Sequence, residues 1–175
     1  MKYKFQDDIK DGLAFELKVM KMLETELDHC IIVGCSTKDY DLEILDEQMQ
    51  PVAAIEVKND LMSATTGNVA IEWQCRGLPS GINVTKAGWW VQGINDEPFF
   101  ITVTKLKEMI KEKGVSSVSG GDKGSDTRMY LIKVDKFKSE CTDKGKMIDD
   151  FRTILEANRL DGKRPKSSTS SKGVN

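Results

Sequence analysis

The sequence predicts an α/β or α+β domain built round a central sheet, and three observations lead there. A helical apolar pattern opens the chain, five short strand-like segments follow, and mixed strands and helices close it. At 175 residues, 39% hydrophobic and 31% charged, the chain suits one compact domain over 1–160 and is too short for two full ones.

Residues 5–27 read as a helix because Phe5, Ile9, Leu13, Leu17, Met20, Leu23 and Leu27 recur at steps of three and four. The segments 30–35, 39–45, 52–58, 68–75 and 88–94 read as strands, since each is an apolar or alternating run bounded by Gly, Pro, Asp or Asn. FFITV (99–103) is a further strand. It leads into an amphipathic helix that Gly114 terminates. Residues 129–137 complete the strands, and a helix over 147–159 closes the fold. Two stretches lack apolar periodicity: VSSVSGGDKGSDTR (115–128), expected as a flexible loop, and DGKRPKSSTSSKGVN (161–175), expected as a disordered basic tail.

Composition narrows the chemistry. The four cysteines form no C-x-x-C pair, so neither a zinc ribbon nor a disulfide framework is indicated. His29 is the only histidine, which removes every mechanism that needs two imidazoles. An enzyme with this sequence works with carboxylates and lysines. No apolar run approaches the ~20 residues of a membrane helix, so no membrane partner and a cytoplasmic location are expected. Net charge is −2 overall, yet the acidic residues crowd into the first sixty positions and the remainder is basic. Such a split fits a protein that gathers divalent cations on carboxylates and meets a polyanion elsewhere; solvated faces that happen to segregate would look the same.

On a helical wheel Glu16 falls inside the apolar face, where a carboxylate either needs a partner or, at the helix edge, reaches out to water. In VAAIEVK, a period of two puts Glu56 and Lys58 on one face of an otherwise apolar strand. If 39–45 and 52–58 form a hairpin with Leu45 opposite Val52, Asp41 lies directly across from Glu56. Like charges so placed repel unless a cation sits between them, and carboxylate oxygens with water are what Mg²⁺ accepts. Asp39 and Glu43 share the face of Asp41, so a register shift of two would exchange ligands. Glu72 and Gln74 share a face of the next strand, where they either extend the polar wall as an additional site or face solvent on a half-buried sheet. Ser80, Thr85 and Lys86 sit in GLPSGINVTKAG, whose turns suit a nucleic-acid phosphate. Trp73, Trp89 and Trp90 are either base-stacking or core residues.

A helical Glu16, then the Asp of YDLEI, then IEVK resembles the PD-(D/E)XK nuclease superfamily, and TTGNVAIEWQCRGLPSGINVTKAGWWV (65–91) is similar to the continuation in its phage-type members. The chain has Tyr40-Asp41 where the motif's name has Pro-Asp. The resemblance, over roughly 5–95, implies an α/β restriction-endonuclease-like core with a central mixed sheet flanked by helices. It makes Asp41 and Glu56 metal ligands, Lys58 the residue that positions the water and stabilises the phosphorane, and Glu16 a support of the metal shell. It further implies a Mg²⁺-dependent endonuclease acting on duplex or branched DNA, with Mn²⁺ as a substitute and the host cytoplasm as its place if phage-encoded. A Holliday junction resolvase, which would be a homodimer, a catalytically inactive nucleic-acid-binding protein, and a structural protein with a buried ion network are the competing expectations.

Overall fold

The computed structural model describes residues 5–35, 37–112, 115–120 and 126–162, with side chains placed from Lys10 to Leu160. In chain order the elements are α1 (Phe5–Glu26), β1 (Cys30–Gly34), β2 (Leu42–Asp46), β3 (Pro51–Asp60), α2 (Ser63–Thr66), β4 (Asn68–Cys75), β5 (Leu78–Pro79), a 3₁₀ turn (Gly81–Asn83), β6 (Trp89–Ile94), β7 (Glu97–Thr102), α3 (Val103–Ile110), β8 (Ser116–Gly120), β9 (Thr127–Lys133), α4 (Val134–Glu140) and α5 (Lys144–Gly162). The fold is α/β. A mixed five-stranded sheet runs β1-β2-β3-β6-β7, and a four-stranded antiparallel sheet runs β5-β4-β9-β8.

Alternation along the central strands divides the core in two. Ile55, Val57, Val91 and Phe100 face α1 and α5, where they meet Phe15, Val19, Leu23, Met147, Ile148 and Phe151. Their neighbours Trp90, Ile94 and Ile101 point the other way, onto Val69 and Ile71 of β4, Ile132 of β9 and the helical residues Leu106, Met109 and Phe137. The five-stranded sheet is thus covered on both faces, and each fully buried large side chain contributes about 1.5–3 kcal/mol to holding a layer. β3 and β6 are its parallel pair, with Glu56 beside Trp90 and Lys58 beside Gln92. The chain between them makes β4, β5 and the 3₁₀ turn, so the second sheet begins inside this crossover.

Four local expectations are corrected. The buried stripe of α1 is Phe15, Val19, Leu23 and Leu27, whereas Leu13 and Leu17 are exposed. Two adjacent apolar stripes existed on the wheel, and the sheet took the one carrying Phe15, whose ring lies over Gly93. The β2–β3 register follows the expected pairing from Leu42↔Ile55 to Ile44↔Ala53, then a bulge sets Leu45 opposite Pro51 instead of Val52. The stretch expected as a loop over 115–128 contains β8 and the start of β9, because β8 obtains its order from backbone pairing with β9. Its residues 121–125 lie outside the described residues. The strand expected over 129–137 ends at Lys133, and Val134 opens α4 with Phe137 buried. The expected tail lies outside the described residues from 163 onward.

Candidate active site

Backbone geometry delivers three of the expected residues to one point. Asp41 immediately precedes β2. Its N–H donates to the Ile55 carbonyl at 3.1 Å, and its Oδ2 accepts from the Val57 N–H at 2.8 Å. The aspartate therefore straddles Glu56 on the neighbouring strand, as continuation of the Leu42↔Ile55 register requires. Lys58, one pleat further along β3, bridges both carboxylates: its Nζ lies 3.0 Å from Asp41 Oδ2 and 2.7 Å from Glu56 Oε1. Glu56 is buried at 6% exposure, while the Lys58 side chain remains 42% exposed toward a cleft.

That cleft, of about 710 Å³, opens toward the C-terminal end of the β3–β6 parallel pair, the place where open α/β sheets present ligand sites. Asp41, Glu56, Lys58, Asn59, Asp60 and Gln92 form its floor, with Glu72, Ser80 and Gly81 on the wall supplied by β4 and the 3₁₀ turn.

The electrostatics are those of crowded carboxylates. Burial pushes the Glu56 carboxyl up from 4.5, and Asp41 adds to this, while Lys58 and a hydrogen bond from Thr85 oppose it. Glu16, half-buried on α1, is raised by burial and by the charges of Asp41 and Glu56, against the pull of Lys58. For Lys58, burial acts to lower the pKa, but Glu56 and Asp41 together outweigh it and the ammonium is held above 10.5. Lys58 is thus a fixed cation and hydrogen-bond donor at neutral pH, not a base.

Thr85, expected on a phosphate-facing turn, is buried. Its hydroxyl lies 2.9 Å from Glu56 Oε2 and 3.0 Å from the Asp39 carbonyl, and it accepts from the Ala87 N–H at 3.2 Å. It holds the glutamate from behind. Lys86 is exposed and ion-paired with Asp39 at 2.7 Å, and its own N–H donates to the Asp39 carbonyl. The Ser80 hydroxyl donates to the Glu72 carboxylate. A bulge in β4 separates Glu72, on the cleft, from Gln74, which lies outside the cleft lining. Trp90 is core, Trp89 is half-buried edge-on to Phe151, and Trp73 stacks on Tyr130.

Sequence reasoning missed Asp60 and Gln92. Asp60 accepts from the Met62 N–H (3.0 Å) and the Ala70 N–H (2.9 Å), tying down both ends of the turn that leaves β3. Gln92 is fully buried and accepts from the Trp90 indole at 2.9 Å. A lone glutamine in the apolar strand GWWVQGI was the available signal.

No protein-family model matches the chain, and no curated protein matches it significantly.

Asp41 and Glu56 carry the oxygens that could hold a hard cation. The Asp41 and Glu56 carboxylates converge on Lys58 Nζ, and Glu16 adds negative charge close by. Among the described residues no three carboxylate, thiol or imidazole groups close round one point. Mg²⁺ is commonly held in that way, by one or two carboxylates with water and substrate oxygens making up the remainder of its shell. Among the described residues no helix is long and apolar enough to cross a membrane.

Proposed function

We propose that the protein is a Mg²⁺-dependent nuclease that hydrolyses DNA phosphodiester bonds by direct attack of water, working in the cytoplasm on a restriction-endonuclease-like core. The observation that carries this reading is the convergence of Asp41, Glu56 and Lys58 on the floor of a cleft at the C-terminal end of a parallel strand pair. In this reading Asp41 and Glu56 hold the cation. When bound, it would polarise the phosphate oxygens and neutralise the charge that develops on them.

The chain's own groups do the rest. Lys58, kept protonated by its two carboxylate neighbours, donates to a phosphate oxygen or to the attacking water and contributes a fixed positive charge. Thr85 fixes the rotamer of Glu56. Glu16, whose carboxyl is pushed up by burial and by the charges of Asp41 and Glu56, would support the metal shell through water. The resemblance of the Glu16, YDLEI and IEVK stretches to PD-(D/E)XK nucleases supports the same assignment.

The test is a cleavage assay with Mg²⁺ or Mn²⁺ on supercoiled plasmid, linear duplex, single-stranded DNA, a four-way junction and RNA. Wild-type protein is expected to cut DNA, and Glu56→Ala and Lys58→Ala proteins of verified folding are expected to lose the activity. Cutting that survives both substitutions, or no cutting of any substrate, refutes the assignment. Preferential resolution of the junction would select the resolvase.

A further inference from the structure

Three large apolar side chains stand in water at the rim of the cleft: Leu61 (48% exposed), Met62 (47%) and Leu78 (69%). They come from two unrelated segments, and neither is a frayed loop. Leu61 and Met62 occupy the turn that the Asp60 carboxylate pins at both ends, and the buried Ser63 hydroxyl ties the same turn to the Asp60 carbonyl at 2.7 Å. Leu78 follows a two-residue hairpin between Cys75 and its pairing partner, with Arg76 (φ 51°) and Gly77 (φ 77°) both left-handed, the rigid geometry of a tight β-turn. A fold that fixes apolar groups in solvent around a polar cleft is holding them for a ligand with an apolar face.

Two further facts choose that ligand. Five carboxylates and only two lysines line the cleft, so its wall repels a phosphate backbone except where Lys58 and a bound cation act. Its volume, about 710 Å³, is of the size that takes a nucleotide or two. Leu, Met and Pro side chains are among those that proteins wedge between base steps, partly unstacking them, and Pro79 adjoins Leu78 on the rim.

We infer that Leu61, Met62 and Leu78 form an apolar clamp for unpaired nucleobases flanking the phosphate at Lys58, so that single-stranded or locally opened DNA is the substrate class and intact duplex is not. This rests on the nuclease reading for the position of the phosphate, but not for the contact itself. The clamp supplies through base contact the affinity that the acidic wall withholds from the backbone.

The full-length protein separates the two claims. Binding of a labelled single strand and of the matched duplex is measured by fluorescence anisotropy in Ca²⁺, for wild type, Leu78→Ser and Leu61→Ser/Met62→Ser; cleavage of the same strands is then followed in Mg²⁺ and Mn²⁺. Wild type should bind the single strand at least about tenfold more tightly than the duplex, and each rim variant should lose about tenfold on the single strand and less than about twofold on the duplex, with unchanged melting. The same pattern without any cutting upholds the clamp and sinks the nuclease reading. Equal affinity for both forms, or binding indifferent to the rim variants, overturns the clamp; cutting that persists in those variants leaves the nuclease reading standing.

Discussion

Thr85→Val tests whether the buried hydroxyl positions Glu56 or merely ties down its own loop. Valine keeps the shape of threonine and removes the oxygen that contacts Glu56 Oε2 at 2.9 Å and accepts from Ala87 N–H at 3.2 Å. A hydrogen bond to a charged group contributes about 1.5–3 kcal/mol, and an orphaned buried N–H adds to the loss, so a destabilisation of about 2–3 kcal/mol is expected. In a chain of this length that lowers Tm by about 5–10 °C. Thermal melts at neutral pH of wild type, Thr85→Val and Thr85→Ser are run together, the serine protein keeping the hydroxyl and losing only a methyl. The decisive arm repeats Thr85→Val in a Glu56→Ala background, where its cost should fall by about 1–2 kcal/mol if the two groups are coupled. An undiminished cost there, or serine as damaging as valine, would refute the positioning role.

The remaining predictions concern charge and packing around the same floor. Lys58→Ala removes the cation between Asp41 and Glu56, so metal-free stability should drop while the rise in Tm on adding Mg²⁺ becomes larger than in wild type; differential scanning fluorimetry with and without Mg²⁺ reads both. Glu56 has its pKa raised, chiefly by burial, so its contribution to metal-free stability is complete below 4.5 and is lost as pH climbs through the raised value. Mn²⁺ binding must run the opposite way. Its affinity, measured by calorimetry, should weaken about tenfold per unit as pH falls below a midpoint above 4.5, because the proton and the metal compete for one carboxylate. Gly93→Ala would put a methyl 2.4 Å from Asn59 Oδ1 and 2.8 Å from Phe15 Cζ in a central strand; urea denaturation should show a loss of about 1–3 kcal/mol, partly recovered by Phe15→Leu.

How far the sequence could be read depended on whether a feature was written in local periodicity. Alternation in VAAIEVK and DYDLEIL fixed which residues share a face, and that parity carried the Asp41–Glu56 juxtaposition through, since the bulge lies beyond Ile44 and shifts only Leu45. The face of α1 was misjudged because Leu13 and Leu17 look as apolar as Phe15 and Val19 until a sheet chooses between them. Thr85 sits among turn residues, and its burial follows from the docking of 84–88 onto the Asp39 segment, a contact between parts of the chain far apart in sequence. β8 was unreadable for a similar reason: SSVSG has no apolar alternation of its own and is a strand only because β9 lies beside it. The roles of Asp60 and of the Leu61, Met62 and Leu78 rim likewise exist only once β4 and β5 stand over β3.

The second sheet begins in the crossover between β3 and β6 but is completed by β9, which pairs Asn68 with Lys133. The two walls of the cleft are therefore threaded through one another along the chain and cannot mature one after the other. Neither the β3–β6 pair nor the β4–β9 pair closes a short loop, and long-range pairings of this kind make folding slow. The cleft should thus be a late product of folding: pulse-labelled hydrogen exchange is expected to protect the α1 amides before the Val57 and Ala70 amides, and early protection of the latter two would contradict this order. A cleft assembled in that order would hold no ligand until both sheets have been committed to their final shape.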